Sequence, residues 1–165
     1  MIKPKRSTTW IVVADGARGR FFKTGDDLKK LVSVRKADMV SPDSRQRAHE
    51  LKSDKPGRSY SSSRSGARHA LEPPHDYQKL EKHRFMAALA NALDSACMQQ
   101  EFDDLVLVLP RRSLGELRGL LSKNVRARVR LEIAKDLTNE TAASLLTHLA
   151  PRLRPIASAS RRARS

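Results

Sequence analysis

The sequence predicts a single α/β domain, built on a mixed sheet of about five strands with about three helices, because its apolar residues follow two distinct patterns. Short continuous apolar runs at residues 10–14 and 105–109 are typical of strands that are buried on both faces. A longer segment repeats its apolar residues at close to a helical period, which is typical of an amphipathic helix. The residues of that repeat are Leu80, Phe85, Met86, Leu89, Leu93 and Met98.

The first half of the chain predicts an antiparallel meander of three strands. The first apolar run ends in a turn at Asp15 and Gly16, and a second strand is expected at residues 20–24. Residues 28–39 follow another glycine turn and supply the third strand. Strands joined by such short connections pair in an antiparallel manner.

The second half predicts helices that alternate with strands. A helix is expected at residues 77–100, with Asp76 as its N-cap, and residues 104–109 form the next buried strand. Ser113 or a neighbour is expected to cap the helix that follows. Residues 129–133 alternate as a further strand, and a last helix opens at residue 139.

This order of elements is that of ribonuclease-H-like α/β folds, in which an antiparallel meander is continued by two parallel strands with right-handed helical crossovers. Residues 9–150 are expected to form the domain, preceded by a basic extension at residues 1–8. Residues 151–165 are rich in Pro, Ser, Ala and Arg, so they predict a disordered basic tail.

Composition favours a polyanionic partner. The chain has 33 Lys and Arg residues against 18 Asp and Glu residues, a formal net charge of +15, and such a field attracts nucleic acid, the ribosome or an anionic membrane surface. The single cysteine, Cys97, allows no intrachain disulfide, which fits a reducing compartment. The early apolar run is shorter than an export signal needs, and no segment reaches the roughly 18 apolar residues of a membrane span. We therefore expect a cytoplasmic protein.

A long polar loop at residues 40–76 is the first candidate for function, because loops longer than about 12–15 residues in compact domains are usually functional or disordered. Its basic side chains lie among Ser and Gly, which let a backbone approach phosphate closely while guanidinium groups make bidentate contacts. A second basic cluster lies between residues 111 and 130. The predicted RNA- or anion-binding residues, expected to share one cationic surface, are Lys52, Ser53, Asp54, Lys55, Arg58, Arg68, His69, Arg111, Arg112 and Arg118.

Metal chemistry has little support in the pattern. The five histidines lack zinc-type spacing and paired cysteines, so no metal or cofactor is expected. A two-metal nuclease would require Asp15, Asp38, Asp54 and Asp104 to converge, whereas a turn accounts for Asp15 equally well.

Six sequence blocks resemble the bacterial host-attachment protein family, in the same order and between about residues 10 and 149. The resemblance implies a relationship to the middle, catalytic domain of archaeo-eukaryotic peptide-chain release factors, and with it a ribonuclease-H-like fold and a role at the ribosome. The blocks are WIVVADGARGRFF (10–22), HELKSDKPGRS (49–59), GARHALEP (66–73), FDDLVLVLP (102–110), LGELR (114–118) and KDLT (135–138).

The resemblance and the charge together lead to the first hypothesis, a release-factor-like module that binds the ribosome or tRNA. Release factors of this kind place a Gly-Gly-Gln tripeptide on a long loop to position water at the peptidyl-tRNA ester, and this sequence has no such tripeptide. A non-enzymatic role is therefore favoured.

Two alternatives remain open. One is a peptidyl-tRNA ester hydrolase with His69 as the candidate catalytic residue. A serine-type triad of Ser53, Asp54 and His69 lacks the GxSxG elbow. The other is an attachment or surface-interaction protein that recognises acidic envelope components, as the family name implies.

Overall fold

Eleven helices and strands make up the described part of the chain, which covers residues 7–25, 27–53 and 74–162 of a computed structural model. The strands are β1 (Thr9–Ala14), β2 (Arg18–Thr24), β3 (Val32–Ser33), β4 (Met39–Val40), β5 (Asp104–Leu109) and β6 (Val129–Ala134). The helices are α1 (Pro42–Ser53), α2 (Pro74–Met98), α3 (Arg111–Leu120), α4 (Lys123–Arg128) and α5 (Ala142–Arg162).

The strands form one mixed sheet in the order β3-β2-β1-β5-β6, with β4 also paired to β2. β1 is antiparallel to β2 and parallel to β5, and β5 is parallel to β6. The predicted α/β class is confirmed, and so are the antiparallel meander and the two parallel strands that continue it. The third strand of the meander is divided into two short pieces, because β3 pairs near one end of β2 and β4 near the other.

Helices cover both faces of this sheet. Buried residues of α2, α3 and α4 pack on one face, around Trp10, Phe21 and Leu107. α5 packs on the other face, where Leu145, Leu149 and Leu153 meet side chains of the strands. All six residues of β1 and of β5 are buried, because each of these strands has a layer above and below it.

α2 is buried over only part of its length. Residues 75–80 are exposed, and fully buried positions begin at Phe85 and continue through Met86 and Leu89. Residues 74–84 therefore extend beyond the core by roughly 16 Å at the usual helical rise. None of the helices in the described ranges is long and apolar enough to cross a membrane.

The long loop predicted at residues 40–76 is wrong in its first part, where the chain forms α1. The Ser41 hydroxyl accepts a hydrogen bond from the Ser44 N–H at 3.3 Å, and Asp43 lies in the first turn. Because α1 contains only two apolar residues, Ala48 and Leu51, besides Pro42, it has no apolar repeat by which the sequence could reveal it. Residues 54–73 of the predicted loop lie outside the described residues, and its last residues, 74–76, belong to α2 and not to a loop.

The predicted disordered tail is also corrected, because α5 continues to Arg162. Leu149, Leu153 and Ala157 recur every four residues and are all buried. Pro151 and Pro155 have the same spacing on the exposed side, where carbonyl groups that lose a helical N–H partner are open to water. The burial of one helical face therefore outweighs the composition of the segment.

Two shorter expectations also differ from the structure. α4 was not predicted, because its six residues contain a single buried apolar side chain, Val125. Ser113 does not cap α3 but lies inside it, and the residue at the N-cap position is Pro110, which makes no side-chain capping bond.

Candidate functional site

An open cleft of about 810 Å³ lies at the carboxyl end of β1. The turn that follows β1, the first half of α1, the exposed part of α2 and the start of α3 enclose it. Its charged and histidine side chains are Asp15, Asp43, Arg47, His75, Lys79, Glu81, Lys82, His83, Arg112 and Glu116. Ligands of open α/β sheets commonly bind outside the carboxyl ends of the strands, so this is the expected place for a site.

Asp15 shapes the turn at the base of the cleft. Its Oδ1 accepts hydrogen bonds from the backbone N–H groups of Ala17 and Arg18 at 2.8 and 2.9 Å, and its Oδ2 accepts one from the Thr138 hydroxyl at 3.4 Å. The Ser113 hydroxyl donates to the Asp15 carbonyl at 2.9 Å, which ties α3 to the turn. The Asp15 carboxylate is thus committed to holding the backbone in place.

The carboxylates of a two-metal nuclease do not converge here. Asp15 follows the last residue of β1 and Asp104 opens β5, so these residues lie at opposite ends of two parallel strands. Asp38 pairs with Arg18, and Asp54 lies outside the described residues. Within the described ranges, no group of three or more His, Cys, Asp or Glu side chains is placed to hold a metal ion.

Gly16 permits a close contact between the turn and α2. Its φ of +117° is a conformation that side chains with a Cβ rarely adopt. A Cβ at this position would also lie 2.5 Å from Lys82 Cε and 2.9 Å from Lys82 Cγ. The alkyl chain of Lys82 therefore lies directly over Gly16, on the wall of the cleft.

Two side-chain pairs link the walls. His83 Nδ1 lies 3.0 Å from Glu116 Oε1, which joins α2 to α3. The Tyr77 hydroxyl donates to Asp43 Oδ1 at 3.3 Å, which joins α2 to α1. The nearby negative charge of Asp43 raises the pKa of the Tyr77 phenol above its ordinary value, because ionisation would place two like charges side by side.

The acidic side chains of the cleft all have partners. Asp15 accepts the turn N–H groups, Asp43 accepts from Tyr77, Glu81 pairs with Arg84 at 3.1 Å, and Glu116 contacts His83. Each of these carboxylates therefore already has a protein contact, although only Glu81 is paired with a fixed positive charge, that of Arg84.

The basic side chains of the cleft differ in this respect. Arg47, Lys79, Lys82 and Arg112 line it, and within the described ranges none of them forms an ion pair. Although four basic residues face four acidic ones, the cations are the groups that remain available to a charged ligand.

The structure brings only part of the predicted binding set to this cleft. Arg112 lines it, whereas Arg111 is exposed beside it at the start of α3. Arg118 is six residues further along, about 120° away around the helix, and pairs with Glu132 of β6. The single cationic surface that was expected to include both Arg112 and Arg118 is therefore corrected to two separate regions.

The predicted loop residues are not placed by the structure. Lys52 and Ser53 belong to the last turn of α1, but the structure does not describe their side chains. Asp54, Lys55, Arg58, Arg68 and His69 all lie outside the described residues.

Sequence reasoning missed Arg47, Lys79 and Lys82. The available signal was the Asp15-Gly16 turn at the end of a buried strand, together with the polar first turns of α2. The pairing of His83 with Glu116 had no sequence signal, because 33 residues separate the partners.

The sequence model of one protein family, described as "Protein required for attachment to host cells", matches residues 10–149. Its span includes the turn after β1 and every helix that lines the cleft. No curated protein matches the chain.

Proposed function

We propose that this chain, which belongs to the family of proteins required for attachment to host cells, is a cytoplasmic module that binds ribosomal or transfer RNA through the cleft at the end of β1. The proposal rests on one observation: the acidic and the basic side chains of the cleft differ in whether they have protein partners. Its four carboxylates have protein partners, whereas Arg47, Lys79, Lys82 and Arg112 form no ion pair in the described ranges. Uncommitted cations of this kind neutralise phosphates.

The charge of the whole chain supports the same ligand class. A net charge of +15 attracts a polyanion over a distance and raises its association rate. Residues 54–73 add Lys55, Arg58, Arg64 and Arg68.

The packing of Lys82 on Gly16 supports a charged contact at the turn. Gly16 is buried and the alkyl chain of Lys82 lies directly over it, so Lys82 and not the turn backbone is the group that a ligand can contact at this point of the cleft. A phosphate bound here would contact a lysine side chain. The resemblance to release-factor middle domains adds the ribosome as the place where such RNA is met.

Salt-dependent binding tests this proposal. Association with ribosomes or tRNA is measured over a range of salt concentrations for the wild type and for the triple variant Lys79→Gln, Lys82→Gln, Arg112→Gln. We expect the slope of log K against log salt to become shallower by about two to three, because three phosphate contacts are lost.

The matched control removes the same charge elsewhere, at the exposed residues Lys29, Lys30 and Arg152. We expect this variant to lose much less affinity. Equal losses in both variants would show that net charge alone drives binding and would refute the cleft as the site. Binding of acidic envelope polysaccharide in place of RNA, with the same dependence on the cleft residues, would transfer the site to an attachment role.

A second candidate function, hydrolysis of the peptidyl-tRNA ester, is favoured by the His83–Glu116 pair. A carboxylate on Nδ1 orients an imidazole so that Nε2 can take a proton from water as the water oxygen attacks the ester carbonyl. When the bond from the carbonyl carbon to the ribose oxygen breaks, Nε2 returns that proton to the ribose oxygen, which leaves as a hydroxyl. Incubation with ribosome-bound peptidyl-tRNA separates the two functions. An enzyme releases peptide and loses that activity in His83→Gln while RNA affinity is unchanged, whereas a binding module releases none.

A further inference from the structure

Two histidines, His75 and His83, line the cleft at the end of β1 together with its permanently charged side chains. Those charges are four of each sign, so they sum to zero while both histidines are neutral. The protonation of the histidines therefore decides whether the cleft carries a net positive charge. The charged side chains around them are Asp15 from the turn, Asp43 and Arg47 from α1, Lys79, Glu81 and Lys82 from α2, and Arg112 and Glu116 from α3.

Contact with α3 fixes which nitrogen of His83 is available to a ligand. Nδ1 lies 3.0 Å from Glu116 Oε1, and a carboxylate at that distance accepts the proton on Nδ1. The other ring nitrogen, Nε2, forms no hydrogen bond within the described ranges, and the side chain is 57% exposed. A neutral His83 therefore has its lone pair on Nε2, the nitrogen that remains free.

A lone pair on Nε2 is an unsuitable partner for a phosphate. Phosphodiester oxygens only accept hydrogen bonds, so an unprotonated Nε2 offers them none. Protonation converts Nε2 into a charged donor, which makes a stronger hydrogen bond than a neutral one, while Nδ1 keeps its contact with Glu116. The added charge also compensates the carboxylate of Glu116, which a neutral imidazole leaves uncompensated.

His75, Lys79 and His83 form one row along α2. They recur at every fourth residue, so neighbouring members lie on the same side of the helix and are separated by roughly 6 Å of helical rise. When both histidines are protonated, this row holds three positive charges, which repel one another unless an anion lies beside them. A bound phosphate chain therefore favours the protonated form of both histidines.

We propose that His75 and His83 are phosphate contacts of the cleft that form only when the histidines are protonated, so that RNA binding strengthens as the pH falls. This inference rests on the proposed RNA-binding function and adds its regulation. Histidine is the side chain that ordinarily changes charge between about pH 5 and pH 8. Because the ligand favours the protonated form, the histidine contribution is present in full at the lower end of this range and is lost as the pH rises.

The test measures binding of the full chain to tRNA from which the terminal phosphate has been removed, at constant ionic strength, between about pH 7.5 and about pH 5.5. A terminal phosphate would itself titrate near about pH 6, whereas phosphodiesters keep their charge over this range. We expect the affinity of the wild type to rise about three- to eightfold over this fall in pH. The double variant His75→Gln, His83→Gln should change by at most about twofold, and its difference from the wild type should be confined to the lower half of the range.

The matched control is His148→Gln, which removes an exposed histidine from α5 on the other face of the sheet. This variant should keep the pH dependence of the wild type. The inference is overturned if wild-type affinity does not change with pH, if the double variant keeps the wild-type dependence, or if the control loses it equally, since the effect would then come from total charge.

Failure of the proposed function gives a different result. The tRNA would then bind at neither pH, or its affinity would not depend on Lys79, Lys82 and Arg112 at either pH. Either outcome removes the site itself, and this inference with it. Binding that depends on those three residues but not on pH overturns the role of the histidines alone.

Discussion

Replacing Leu153 by alanine tests whether the last three turns of α5 are part of the folded core. Leu153 is 1% exposed and packs with Leu149 against the strands, although its neighbours in sequence are prolines and arginines. A disordered tail would leave this side chain in water in both the folded and the unfolded state. The two possibilities therefore differ sharply in the expected free energy of unfolding.

The magnitude follows from the burial. Removing a buried leucine side chain down to Cβ loses its transfer free energy and leaves a cavity, which together cost about 2–5 kcal/mol. In a domain of this size, each kcal/mol lowers the melting temperature by about 2–4 °C. We therefore expect Leu153→Ala to melt roughly 4–20 °C below the wild type.

Chemical and thermal denaturation followed by circular dichroism measure this difference. The control is Arg152→Ala, which changes an exposed residue of the same helical turn and should stay within about 0.5 kcal/mol of the wild type. A Leu153→Ala protein as stable as this control would show that residues 151–162 do not pack on the sheet, and the argument from burial would fail.

Three further predictions concern local contacts. Gly16→Ala should destabilise the fold by about 1–3 kcal/mol in urea denaturation, because it combines a positive φ with a steric clash. The control is Gly119→Ala, which has nothing within 4 Å of its new methyl group and should be neutral or stabilising in the same assay. The raised pKa of Tyr77 means that its hydrogen bond is present below the ordinary phenol pKa and is lost as pH rises through the folded value. Asp43→Asn should therefore move the Tyr77 titration, followed by ultraviolet absorbance, toward lower pH, and an unchanged midpoint would contradict the contact. Ser160→Ala should remove a 2.9 Å hydrogen bond to the buried carboxylate of Asp104 at the start of β5 and cost about 0.5–1.5 kcal/mol of stability. We expect faster hydrogen exchange that is confined to the end of α5. Unchanged exchange there would contradict a role of this bond in holding the end of α5 on the sheet.

The sequence correctly predicted the strands and helices whose burial produces a simple pattern of apolar residues. β1 and β5 are buried on both faces, so they appear as unbroken apolar runs. The buried half of α2 repeats its apolar residues at a helical period. α1 has too few apolar residues to create such a repeat, and in α5 the apolar spacing was obscured by Pro151 and Pro155.

The candidate site was predictable only where its residues are close in sequence. The Asp15-Gly16 turn could be identified because a buried strand immediately precedes it, and Arg112 because it belongs to a local cluster of basic residues. The acidic side chains have protein partners through contacts such as His83 with Glu116 and Tyr77 with Asp43, which join residues more than 30 positions apart. Such contacts follow from how the helices pack and have no local sequence pattern.

Because only part of α2 is buried, packing inside the protein sets the orientation of its exposed part, which forms the outer wall of the cleft. Phe85 and Met86 fix the direction in which residues 74–84 leave the core, and the position of Lys79 and Lys82 depends on that direction. A change in packing at Phe85 would be magnified along the roughly 16 Å of exposed helix. Affinity for a ligand can thus be altered by substitutions that never touch it, through the angle of one helix.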